Sequence, residues 1–116
     1  MQKANPIKEK SFDFAVRIVK FAKWLDGQKV NYKLIDQVLR SGTSIGANVT
    51  EAISAQTKKD FAHKLHIAFK EANETRYWLE LLLASETISQ KAANELLSDV
   101  TELIKILASI LISTKN

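Results

Sequence analysis

Residues 89–113 read SQKAANELLSDVTELIKILASILIS, and this stretch decides the fold. Leu97, Ile104 and Leu111 are seven apart, as are Leu96, Leu103 and Ile110, and Val100 and Leu107. Apolar residues at a spacing of 3.5 to 3.6 per turn place a wide stripe along one side of an α-helix, which must be covered by other helices. Ser89 stands where a helix starts, and the pattern runs out at Ser113.

Working back from it, Lys58 to Ser85 forms the preceding helix, with Thr57 as its cap and Asp60 in the first turn, where a carboxylate favours the positive end of the helix dipole. Phe61, Leu65, Ala68, Phe69, Ala72, Leu79 and Leu83 make one apolar stripe, and Ile67, Trp78 and Leu82 a second beside it. Two stripes call for neighbours on two sides. Tyr32 to Gln56 forms another helix behind Asn31, with Ile35, Val38, Leu39, Ile45, Val49 and Ile53 aligned. Gly42 and Gly46 fall on that stripe. Glycine inside a helix costs about 1 kcal/mol against alanine, so two of them imply close approach of another backbone, or else a break at Ser41-Gly42. The first helix runs from Pro6 to Asp26, capped by Asn5 and stopped by Gly27, with Phe12, Phe14, Ala15, Val16, Ile18, Val19, Phe21, Ala22 and Leu25 as a broad apolar face. The expected fold is therefore all-α: an antiparallel up-down-up-down four-helix bundle, one domain over residues 1–116.

Composition agrees and narrows the function. Three glycines and one proline suit helices better than a strand-rich fold, and the absence of cysteine excludes disulfides and thiolate metal sites. No apolar run approaches the length of about 20 residues that a membrane span needs, and no secretory signal opens the chain, so a cytoplasmic location without membrane contact is expected. His63 and His66 stand three apart and could share a metal, but no local motif adds a carboxylate ligand, and no metal or cofactor is expected. Ser41, Thr43 and Ser44 lack a base at useful spacing, and Gly42-Thr43-Ser44-Ile45-Gly46 lacks the Lys-Ser/Thr ending of a phosphate loop. The residues do not suggest an enzyme.

Charge is more informative. The net charge is +4, and residues 1–30 hold seven Lys/Arg against three Asp/Glu. On the first helix Lys10, Arg17, Lys20 and Lys23 project within about 80° of one another, with Trp24 on the same side. Cations for phosphates and a ring for a base are what RNA or DNA binding without sequence readout requires. The rival readings are a solvated outer face, or a face covered by another subunit. Arg40, Ser44, Asn48 and Glu51 on the second helix, and Glu71, Glu74 and Arg76 on the third, read as an ion-pair network that fixes helix register, the other reading being a polar patch for a partner.

The run Gln37-Val38-Leu39-Arg40-Ser41-Gly42-Thr43-Ser44-Ile45-Gly46-Ala47-Asn48-Val49-Thr50-Glu51-Ala52, the pieces Lys59-Asp60-Phe61 and Lys64-Leu65, the run from Lys70 to Leu82, and the opening Pro6-Ile7 and Lys10-Ser11-Phe12 together resemble the bacterial 23S rRNA intervening-sequence proteins. Thr50 departs from the pattern, which more usually carries alanine or glutamate there. The resemblance implies a left-handed four-helix bundle and a homo-oligomeric ring, often a pentamer. A related branch, the accessory variability proteins of diversity-generating retroelements, works with nucleic acid, and five copies of this chain would carry roughly +20. It also implies that Arg40, Ser44, Asn48, Glu51, Glu71 and Glu74 match motif positions with no catalytic role. The alternative function is a protein-binding adaptor, anchored through Trp24 or Trp78.

Overall fold

The computed structural model describes residues 5–115. Four helices follow one another: α1 Pro6–Gly27, α2 Tyr32–Ile53, α3 Lys58–Ala84 and α4 Gln90–Ser113. Each start is fixed by a side chain that the sequence places there. Asn5 accepts from the Lys8 amide, Asn31 from Lys33, Thr57 from Asp60 and Ser89 from Ala92. Each such cap contributes on the order of 1 kcal/mol by satisfying an amide that the helix cannot.

The helices run up and down in sequence. Each packs on its chain neighbours, and α1 and α4 close the square along a narrower seam, so that opposite corners do not touch. This is the antiparallel four-helix bundle expected, and no strand occurs among the described residues. Phe14, Ile18, Leu25, Val38, Ile45, Val49, Leu65, Leu79, Leu82, Val100, Leu103 and Leu107 are almost wholly buried and fill the centre. Each such side chain contributes about 1.5–3 kcal/mol of transfer free energy. The buried Ser11, Ser41 and Thr75 hydroxyls donate to the carbonyls of Lys8, Gln37 and Glu71 within their own helices, so none enters the core unsatisfied.

The α2 glycines settle the choice between close packing and a break. The helix is continuous through both. A Cβ on Gly42 would lie 2.8 Å from Cγ1 and Cγ2 of Ile18, and one on Gly46 would lie 3.1 Å from the Ser11 carbonyl oxygen. Two empty positions one turn apart thus let α1 approach α2 closely.

Three expectations are corrected. Gly27 is not the left-handed cap of α1. It is the last helical residue, and Lys29 takes the left-handed position at φ 60°, with the Val30 amide donating to Leu25. Glu86 does the same after α3, with the Thr87 amide donating to Leu82. In both cases the final carbonyls are satisfied by a turn-closing motif rather than by glycine. Next, α2 ends at Ile53 rather than Gln56, and Ile53 is exposed. Finally, the α1 apolar face is narrower than its composition implies. Phe12 is 66% exposed, and Val16 and Val19 are exposed as well, because a corner helix is covered only on the arc facing its two neighbours.

Candidate functional site

The four cations of the α1 stripe divide into two pairs. Lys10 Nζ donates to Glu102 Oε1 at 2.7 Å, and the Arg17 guanidinium donates to Asp99. Both acceptors lie on α4, across the narrow seam. The hydrogen bond to Glu102, and then its charge, raise the Lys10 pKa above the ordinary lysine value, and Asp99 raises that of Arg17 in the same way. With Asp13, Phe14 and Leu103 these four side chains line a cleft of about 150 Å³. Three carboxylates there offset the two cations, and the cleft is a poor phosphate site as it stands.

The other half of the stripe is different. Lys20 and Lys23 are exposed, and no ion pair holds either of them among the described residues. Trp24 is 44% exposed, and its ring stacks on that of the buried Phe21 at a centroid distance of 5.9 Å. The stack fixes the indole while leaving part of it open. The stripe therefore presents two lysines and a held ring at its C-terminal end, and a charge-compensated seam at its N-terminal end.

The polar residues of α2 and α3 separate into distinct groups rather than one network. Arg40 bridges the two helices, donating to Glu71 Oε2 at 3.2 Å, to Glu74 and to Gln37 Oε1 at 3.1 Å. Trp78 Nε1 donates to the same Glu74 carboxylate at 3.2 Å. Because the Arg40 side chain is 49% exposed, this is a surface clamp and not a buried ion pair. Glu51 does not join it but meets Lys64 at 3.1 Å. Ser44 donates to the Arg40 carbonyl and Asn48 to the Ser44 carbonyl, both within α2. Arg76 reaches only Asn73 and Glu80 on its own helix. Among the described residues of the set, Arg40 with Glu71 and Glu74, and Glu51 with Lys64, make the ion pairs that cross between α2 and α3.

Two surface features fall outside the stripe. Phe12, Val16 and Val19 follow a spacing of four and three along the outer face of α1, and Phe12 shares an open groove of about 790 Å³ with Thr50 and Ile53 of α2. On α3, Lys59, His63, His66 and Lys70 are all exposed on one line. Their spacing of four, three and four is legible in the sequence and places them on one helix face. No group of three His, Cys, Asp or Glu among the described residues could hold a metal ion. No described helix is long and apolar enough to cross a membrane.

Comparison with known proteins places the chain. No curated protein matches it. Among solved structures, the fold superposes with a TM-score of 0.88 on a protein of unknown function from the S23 ribosomal protein family of Bacteroides thetaiotaomicron. The two are 50% identical, and the match covers 90% of this chain and 97% of the other. The sequence pattern of the 23S rRNA-intervening sequence proteins matches residues 3–109. With nearly the whole chain matched, the protein belongs to the 23S rRNA-intervening sequence protein family.

Proposed function

We propose that the protein is a non-enzymatic, self-associating helical bundle of the cytoplasm that binds RNA or DNA through the outer face of α1 without reading sequence. The observation that carries this reading is the exposed trio Lys20, Lys23 and Trp24, in which neither lysine is tied to a carboxylate and the indole is held by Phe21. Two lysines bind weakly alone. Repetition of the trio around a ring, five copies by the resemblance, supplies the multivalency that a backbone binder needs. Lys10 and Arg17 join when phosphates replace the carboxylates of Glu102 and Asp99. Changing Lys10, Arg17, Lys20 and Lys23 together to glutamine abolishes RNA binding and leaves the helical circular dichroism intact. Binding that survives the change removes the stripe from consideration.

A second reading, a protein-binding adaptor, is favoured by one observation: Phe12, Val16 and Val19 expose an apolar line beside Ile53. Such a line marks a protein contact. In the first reading that contact is another copy of the chain, and in the second it is a different protein. Light scattering of the Phe12→Ser, Val16→Ser variant separates them, since only in the first reading does the change lower the mass of the assembly.

A further inference from the structure

A groove of about 560 Å³ runs between the first half of α3 and the last turns of α4. Ala62 and Ala108 line it, one from each helix, with Phe69 and Leu111 beside them. Alanines on both walls keep the groove shallow enough for a third helix to approach. Ile112 stands beside it, 67% exposed. The charged residues of the polar rim are lysines. Lys59, His63 and His66 line it from α3 and Lys115 from just beyond the end of α4, while no Asp or Glu among the described residues does. Lys70 continues the α3 line by one turn, and Lys105 is exposed one turn before Ala108. Asp60 and Glu51 line a separate cleft that shares His63 with this groove.

We propose that this groove docks an acidic amphipathic helix of a partner protein. An aliphatic floor between two helices takes the apolar face of a third, with anchors at i, i+3 or i+4, and i+7. The α3 rim from Lys59 to Lys70 spans about 16 Å at 1.5 Å per residue, or about three turns of such a helix. Cations on both walls meet carboxylates on both flanks of the incoming helix, which sets its charge sign and steers its approach. A nucleic acid would satisfy the rim but has no use for Leu111, Ile112 and the two alanines. The site is separate from the α1 face of the proposed function, and its failure leaves that reading untouched.

The probe is a labelled synthetic helix with leucines at the i, i+3, i+4, i+7 positions and glutamates on both flanks, titrated into the full chain by fluorescence anisotropy. A peptide with lysine at each glutamate position and a single-stranded RNA are run beside it. The expected result is saturable binding of the acidic peptide, at least about tenfold tighter than its lysine counterpart. Amide shift changes are expected to be confined to residues 59–70 and 105–115. The exposed substitutions Ile112→Asp, and Lys59→Glu with Lys115→Glu, each weaken binding about tenfold with unchanged circular dichroism. Lys20→Gln with Lys23→Gln has no effect on the peptide. No saturable binding, equal binding of the lysine peptide, or shifts elsewhere on the bundle would overturn the proposal. So would RNA producing the same shifts in the groove, or Ile112→Asp reducing the oligomer mass, since the occupant would then be nucleic acid or a second copy.

Discussion

Ile18 of α1 lies directly over Gly42 of α2, so that a Cβ on the glycine would meet both of its γ-carbons at 2.8 Å. Ile18 is wholly buried, and its branch point is held by the rest of the core, so it has nowhere to move. Gly42→Ala therefore destabilises the bundle by about 1–3 kcal/mol, despite the gain in helix propensity. Gly27 has open space around it, and Gly27→Ala is expected to stabilise by about 0.5–1 kcal/mol. Urea denaturation of the two variants reads the opposite signs, and equal signs would contradict the packing described.

Arg40 joins α2 to α3 through two carboxylates at once. It is half exposed, so the clamp is worth little in absolute terms. Arg40→Ala is expected to cost about 1 kcal/mol, and a double-mutant cycle between Arg40 and Glu74 should give a coupling near 0.5 kcal/mol that shrinks in high salt. A coupling of several kcal/mol would mean that the pair is buried by a neighbouring subunit.

In the proposed reading, phosphates must displace the α4 carboxylates Glu102 and Asp99 from Lys10 and Arg17. Removing them as Asp99→Asn with Glu102→Gln leaves both cations without those partners. RNA affinity is expected to rise several-fold at low salt, with a steeper salt dependence. Unchanged affinity would show that this half of the stripe never meets the nucleic acid.

Much of this was legible from sequence, for local reasons. Asn5, Asn31, Thr57 and Ser89 cap their helices because a cap depends on residues two or three away. The α4 heptads follow from periodicity, and the cost of glycine points to close approach of some other backbone at Gly42 and Gly46 or to a break, a choice that only the position of α1 settles. Tertiary choice hid the rest. Phe12, Val16 and Val19 are as apolar as Phe14 and Ile18, and only the positions of α2 and α4 decide which arc is covered. Ser11 is buried for the same reason, beside Gly46. Lys10 meets a carboxylate 92 residues away and Arg17 one 82 away, separations that no spacing rule reaches. The left-handed position after α1 falls on Lys29, two residues beyond the glycine that the sequence offers as the cap.

The exposed apolar line on α1 predicts self-association. Phe12→Ser with Val16→Ser removes two of its exposed members without touching the core, and is expected to lower the mass of the assembly by light scattering while helicity persists. An assembly of unchanged mass would place the subunit contact elsewhere and leave the α1 line to a different protein.

The most direct test is the anisotropy of a labelled single-stranded RNA titrated with protein across a salt series, comparing the natural sequence with Lys20→Gln, Lys23→Gln. Saturable binding is expected, with log affinity falling linearly with log salt, and the variant is expected to lose about 0.7 in slope for each phosphate contact removed per copy. No binding at low salt, or binding with the same slope in both proteins, would contradict the proposed function.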